Sequence, residues 1–450
     1  MSDHRSYRLI LILSPTRQLL GIRHAEGFSL GRVIVPRWTR QAEQLAKAIR
    51  VKWQLNVIIL DTLPEELSGE ACAVVEVRPD SAAVALSHFA AIDPADLSSA
   101  EFTEDERMVI TSILSGERHS QGPFSRIGWI DEAQAWIRDA VGDRRVTFTK
   151  DVRQLNASAR FALVRFETDE GTAYWLKAAG ESDQREWRVT AALARMFPHY
   201  LPPLVAERKD WSAWVMEDAG APIDQNLIAL ALEQAVVALA DLQKSSLDHL
   251  DDLSASGARD ARIAVLQEHL EALFDYLDKA MAVQASIKVM PLSSQELRDL
   301  KDVLRHACCT MEALCIPASL VHGDINLGNV LLEDSQCRFI DWREAGIGNP
   351  FLTFYQLMAH IVRVDPSAQT WVPHLEERYK TQWLDHLSSS QINQATTIAP
   401  LLTILSCLYS GGEWLRSSRR DAPEVQSYAR SLGRRMYRAA QSLPAEALRP

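Results

Sequence analysis

Residues 321–342, Val-His-Gly-Asp-Ile-Asn-Leu-Gly-Asn-Val-Leu-Leu-Glu-Asp-Ser-Gln-Cys-Arg-Phe-Ile-Asp-Trp, constrain this chain more than any other stretch. Residues 330–332 form a short apolar run, 333–336 are polar turn material and 338–340 can return, which predicts a tight β-hairpin. A hairpin brings its open ends together. Asn329 and Asp341 are therefore expected side by side, with Asp324 a loop's width away. Such a set offers two hard oxygen ligands for a divalent cation beside a third acid that can take up a proton. Phosphoryl transfer needs this combination, because a metal neutralises phosphate charge while a carboxylate orients the attacking hydroxyl. Asp and Asn are also common turn residues, and His322 could be a buried structural histidine. The context argues for chemistry: an apolar Leu320-Val321 lead, the hairpin and a closing Asp-Trp.

The pattern His-x-Asp-x-x-x-x-Asn, then a hairpin and Asp, is similar to the protein-kinase catalytic loop and its metal-binding Asp. Its His-Gly-Asp form with Ile-Asp-Trp resembles the aminoglycoside-phosphotransferase and choline-kinase group of small-molecule kinases. The resemblance covers residues 143–430 and is densest at 320–350. It implies an α+β, bilobal protein-kinase-like fold with an antiparallel β N-lobe and a helical C-lobe, using ATP and Mg²⁺. It makes Asp324 the catalytic base and Asn329 and Asp341 the Mg²⁺ ligands. His322 would brace the loop, and Trp342 would stand where protein kinases have Phe. The group often continues Asp-Trp-Glu-x-Ala-x-x-Gly-Asp-Pro-x-x-Asp. This chain has Asn349 and Thr353 at two of those acids, which puts local bracing in question and leaves the metal ligands untouched.

Upstream, residues 160–167 and 172–178 read as strands joined by Thr168-Asp169-Glu170-Gly171. Lys177 lies on the second strand. It is either an exposed strand lysine or the lysine that contacts nucleotide phosphates and pairs with a glutamate on the next helix. Glu186 is the partner expected from the resemblance, although Asp183-x-x-Glu186 is also a capping-box pattern. The phosphate-covering turn, 154–160, contains no glycine. Ser158 or Arg160 is expected to contact phosphate there. Residues 214–220 run from an apolar strand into acids and a glycine, as a hinge would, with backbone groups near Met216 and Asp218 facing adenine.

The 450 residues allow three units: an α/β accessory domain at 1–141, an N-lobe at 142–222 and a helical C-lobe at 223–450. The order of strands and helix in the first faintly resembles a degenerate Nudix domain. Its helix at 39–53 carries a single acid over residues 39–48, Glu43, where a Nudix metal site wants several. The formal net charge of -11 argues against a nucleic-acid partner and weakly suits a cationic acceptor. No run of residues reads as a membrane span, the first apolar run (9–13) is too short for a signal peptide, and six dispersed cysteines suggest a reduced cytoplasmic protein with buried thiols. The basic run Arg430, Arg434, Arg435 and Arg438 reads as a solvated face, and Ser388-Ser389-Ser390 as a short loop. The expected activity is transfer of the ATP γ-phosphate to a small-molecule hydroxyl. The competing reading is a nucleotide-binding pseudokinase that transfers nothing; the glycine-free turn favours it and the intact Asp324, Asn329 and Asp341 oppose it.

Overall fold

The computed structural model describes residues 4–14, 16–25, 27–36, 40–63, 71–96, 104–115, 122–142, 145–180, 184–225, 228–285, 288–410 and 420–444. Backbone contacts divide the chain into two units, Met1–Trp187 with Pro203–Asp218, and Arg188–Pro202 with Ala219–Pro450.

The first unit holds two sheets. The larger has seven strands: β1 (His4–Leu13), β2 (Gln18–His24), β3 (Gly27–Ser29), β4 (Gly31–Pro36), β5 (Val57–Leu63), β6 (Ala71–Val77) and β7 (Ala90–Ile92). The central order is β3-β2-β1-β6-β5, with β1 and β6 parallel, β4 on β1 and β7 on β2. Residues 7–13 of β1 and all of β6 are buried, as expected of near-continuous apolar runs covered on both faces. Helices α1 (Gln41–Trp53), α2 (Ala82–His88), α3 (Glu104–Ser115) and α4 (Trp129–Val141) accompany the sheet. Helix α1 buries Ala42, Leu45, Ile49 and Trp53, the i, i+3, i+7 stripe expected from the sequence. Its Glu43 is engaged in an ion pair with Arg153 at 2.7 Å.

The second sheet is antiparallel, in the order β11-β12-β10-β9-β8. Its strands are β8 (Arg153–Ala157), β9 (Ala162–Glu167), β10 (Ala173–Ala178), β11 (Leu204–Arg208) and β12 (Ala213–Glu217). The two sheets share one core. A single apolar cluster joins Ile10, Ile12 and Val74 to Trp129, Ile130 and Ile137 of α4 and to Val164, Phe166, Leu176 and Val215 of the second sheet. Each such side chain contributes about 1.5–3 kcal/mol by leaving water. A polar clasp joins the sheets as well. The buried Gln154 carboxamide of β8 accepts from the Ile59 N–H and donates to the Ile59 carbonyl, both at 2.8 Å. The glycine-free turn also meets the residues before α4. The Phe124 N–H donates to the Ala159 carbonyl at 3.2 Å, and a Cβ on Gly122 would fall 2.0 Å from that oxygen.

The second unit is mostly helical. It contains much of α5 (Arg185–Met196), then α6 (Ala229–Ser245), α7 (Leu250–Ser256), α8 (Ile263–Glu268), α9 (Leu270–Ala282), α10 (Ser294–Ala313), α11 (Pro350–Val364), α12 (Val372–Gln382), α13 (Ser389–Tyr409) and α14 (Pro423–Gln441). Two small sheets, β13 (Ala221–Pro222) with β16 (Val330–Glu333) and β17 (Gln336–Phe339), and β14 (Arg259–Ala261) with β15 (Ser319–Val321) and β18 (Gly346–Gly348), carry the diagnostic loop. This order, an antiparallel sheet followed by a helical unit, is the α+β protein-kinase-like fold expected from the sequence. Ser293 caps α10 through a capping box with Glu296, as its spacing predicts.

Several readings need correction. Ser388 is no loop residue: it is the N-cap of α13 and forms a capping box with Gln391. Helices α8 and α9 are separated at His269, whose ring bonds the Val265 carbonyl through Nδ1 at 2.8 Å, competing for the helical acceptor there. Cys308 is buried, but Cys309 and Cys315 are exposed. Helix α13 is long and apolar enough to cross a bilayer by length and composition, yet 61% of its apolar window is buried inside the protein, as in a core helix. The α14 arginines are no uniform solvated face: Arg430 donates to the Ala280 carbonyl and Arg434 to the Met290 carbonyl and Gln284. The Asp183 capping alternative lies outside the described residues, and α5 begins at Arg185.

Candidate active site

The hairpin forms as the sequence predicts. Val330 pairs with Phe339 and Glu333 with Gln336, and the turn residues Asp334 and Ser335 have φ of 48° and 67°. Two successive positive φ values define the turn that matches strand twist. The Ile340 N–H donates to the Asn329 carbonyl at 3.0 Å, so Asn329 and Asp341 are held at adjoining positions of the open end. Asp341 is itself left-handed, with φ 68° and ψ 59°. Such a backbone at a non-glycine residue persists only where its surroundings hold it.

His322 is one of the restraints. It is buried, its Nε2 donates to the Ile340 carbonyl at 2.9 Å, and its ring lies 4.5 Å from that of Trp342. The Trp342 indole in turn donates to the Phe339 carbonyl at 3.0 Å. Gly323 lets the loop pass: its φ is +77°, and a Cβ would meet the Glu344 carbonyl oxygen at 2.2 Å. The Gln356 side chain of α11 donates to the Gly323 carbonyl at 2.9 Å. Gly323 was visible as a residue in the motif, while Gln356, far along the chain, carried no local signal. Asn349, standing where relatives often carry an acid, caps α11 by accepting from the Phe351 N–H at 3.0 Å, so bracing survives that replacement.

Asp324, Asn329 and Asp341 are brought together in the second unit. The Asp324 carbonyl accepts from the side-chain amides of Asn326 and Asn329, at 3.1 and 3.0 Å. With its NH₂ so engaged, Asn329 has its carboxamide oxygen left for a cation. Partial burial raises the Asp324 carboxyl above the usual aspartate range, the nearby Asp341 charge raises it further, and Arg363 opposes the rise. Two close carboxylates and one amide oxygen, all hard donors, fit a magnesium ion, whose charge would relieve their mutual repulsion.

The remaining predicted residues lie in the first unit. Lys177 on β10 forms an ion pair with Glu186 in the first turn of α5; Glu186 is buried and Lys177 nearly so. The Ser158 hydroxyl accepts from the Phe161 N–H at 3.0 Å and so stiffens its own turn. Met216 pairs with Trp175 and Leu204 in the sheet. The Asp218 N–H donates to the Ala173 carbonyl at 2.9 Å, and its carboxylate accepts from Arg165 at 2.7 Å. That backbone donor is spent in the sheet and is not available to adenine.

Residues 151–388, more than half of the 450-residue chain, match the profile of the Phosphotransferase enzyme family. The chain belongs to this family. No curated protein sequence matches it closely enough to count as a relative. Solved structures similar to it include an ethanolamine kinase from Plasmodium vivax, 14% identical with a TM-score of 0.42, over 75% of this chain and 91% of that one. A choline/ethanolamine kinase family protein from Mesorhizobium loti is 13% identical with a TM-score of 0.41, over 69% and 99%. A macrolide 2'-phosphotransferase from Brachybacterium faecium is 15% identical with a TM-score of 0.43, over 66% and 97%. Membership of the family supports phosphotransferase chemistry on small molecules in general terms and leaves the acceptor unassigned.

Proposed function

We propose that the protein transfers the γ-phosphate of ATP to a hydroxyl of a small molecule. The observation that carries this reading is the convergence of Asp324, Asn329 and Asp341 around one loop and hairpin. Asn329 and Asp341 are the residues suited to hold Mg²⁺, which when bound offsets charge on the phosphate oxygens. Asp324 orients the acceptor hydroxyl and takes up its proton. A carboxyl raised by partial burial and by Asp341 is a better proton acceptor than an ordinary aspartate. In the first unit Lys177, held by Glu186, is the cation for nucleotide phosphates, and the turn at Ser158 is the backbone that covers them. The end of β12 near Met216 and Asp218 is the adenine-facing strand, through groups other than the Asp218 N–H. Most of the acceleration comes from positioning and electrostatics. The test is Mg²⁺-dependent ADP release across a panel of hydroxyl compounds. Asp324→Asn should lower turnover on the order of a thousandfold while ATP still binds. Unchanged turnover removes Asp324 from the mechanism, and ATP binding with no ADP release from any acceptor favours the pseudokinase reading.

A further inference from the structure

A cavity of about 770 Å³ opens beside Asp324, between α11, α13 and α14, wholly within the second unit. Its size suits a small organic ligand. Much of its wall is apolar, from Met358, Val362, Val372 and Ile404. Its charged groups do not suit the cationic acceptor that the net charge weakly favours. Arg363, in the last turn of α11, and Arg435, on α14, both line it. Asp324 is the sole carboxylate among the described lining residues.

Arg363 is held by an uncharged group, and the carboxylate that bears on it is Asp324. The Arg363 guanidinium donates to His360 Nδ1 at 2.6 Å, a neutral acceptor in the same cavity. Burial and Arg363 together push His360 below the usual histidine range, which suits an uncharged acceptor ring. Asp224 is the carboxylate that bears on His360, and it does not line the cavity. No ion pair joins Arg363 or Arg435 to a carboxylate among the described residues, while their neighbours on α14 are spent on backbone carbonyls elsewhere. Both guanidiniums lie close enough to Cys407 and Tyr428, two further lining residues, for their charges to reach both side chains. They therefore share one region of the cavity with the Asp324 carboxyl, whose charge reaches the same two side chains.

Two guanidiniums facing an apolar recess repel an ammonium group and match an oxyanion, to which arginine donates paired hydrogen bonds. We propose that the acceptor is an alcohol carrying an oxyanion, a carboxylate or a phosphate, next to an apolar part. Arg363 and Arg435 bind the anion, the apolar wall holds the body, and the hydroxyl reaches Asp324. This rests on the phosphotransferase reading above for the role of Asp324. It reverses the cationic acceptor that the net charge of -11 weakly suggests, because the local field of a cavity, not the charge of the whole chain, selects a bound ion.

The test compares four probes of one shape on the full-length protein by calorimetry: para-(hydroxymethyl)benzoate, para-(hydroxymethyl)phenyl phosphate, para-benzenedimethanol and para-(aminomethyl)benzyl alcohol. At least one anion should bind roughly tenfold or more tighter than the amine, and the tighter anion distinguishes carboxylate from phosphate. Arg435→Gln should weaken that anion roughly tenfold, and Arg435→Glu should reverse the order of anion and amine. Should the Arg435 variants fail to fold, Arg363→Gln, at an exposed helix end, carries the same expectation. Equal binding of all four probes, absence of binding by any, tighter binding of the amine, or anion affinity unmoved by Arg435→Gln and Arg363→Gln overturns the proposal. The readout is affinity, so an anion that binds while no acceptor supports Mg²⁺-dependent ADP release refutes phosphotransfer and leaves the charge preference established.

Discussion

Asp324 meets two opposing demands. It must be ionised to accept a proton, yet burial and the Asp341 charge favour its protonated form. The folded protein therefore binds that proton more tightly than the unfolded chain, and stability falls as pH rises from the ordinary aspartate range through the raised folded value. In metal-free protein Asp324→Asn should consequently raise the Tm at pH 7, and the gain should disappear in acid below about pH 4. A Tm at pH 7 that is unchanged or lower contradicts the electrostatic picture of the loop. Lys177 and Glu186 behave in the opposite way. Lys177→Met removes the cation paired with the buried Glu186 carboxylate and should cost about 3 kcal/mol in denaturant unfolding, whereas adding Glu186→Gln should restore most of that loss. Additive losses would show that the two side chains do not act as a pair.

At the scale of elements, the hairpin at 330–339 and its flanking residues were legible because everything that sets them is local: two apolar runs, polar turn residues and an Asn and Asp at fixed offsets. The pairing of Lys177 with Glu186 was legible only through the resemblance, since Glu186 also fitted a capping pattern with Asp183. What stayed out of reach is assembled across distance. Nothing near Gln154 announces that its carboxamide closes onto Ile59, nor do Arg363 and Arg435 signal that two helices turn them into one cavity with Asp324. The run at 388–390 misled because three serines resemble a linker, whereas Ser388 with Gln391 is a helix start. The Gln154 clasp gives a direct check. Gln154→Leu leaves the Ile59 N–H and carbonyl buried without partners and should destabilise the first unit by about 2–4 kcal/mol in chemical denaturation. A loss near zero would mean that β8 does not depend on β5. Asn349→Ala should cost about 1 kcal/mol through the lost α11 cap, and Asn349→Asp should cost little.

For the molecule as a whole, the residues before 142 share a core with the smaller sheet of the first unit. Ile10, Trp129 and Ile137 belong to the same apolar cluster as Val164, Phe166 and Leu176. The same region holds β8 through the Gln154 clasp and the glycine-free turn through the Phe124 N–H. A chain beginning at Gly142 should then expose that cluster and be insoluble or unfolded, read from soluble yield and near-ultraviolet circular dichroism. A well-folded chain from Gly142 with undiminished ATP affinity would contradict this. The central claim, that the three oxygen-bearing side chains of the second unit form a magnesium-dependent phosphotransfer centre, is tested most directly by ADP release from ATP with the hydroxy-anion probes as acceptors. Wild type and Asp341→Ala are compared with and without Mg²⁺. The account predicts acceptor-dependent ADP release that requires Mg²⁺ and is lost in Asp341→Ala; turnover that persists in that variant, or that ignores Mg²⁺, would contradict it.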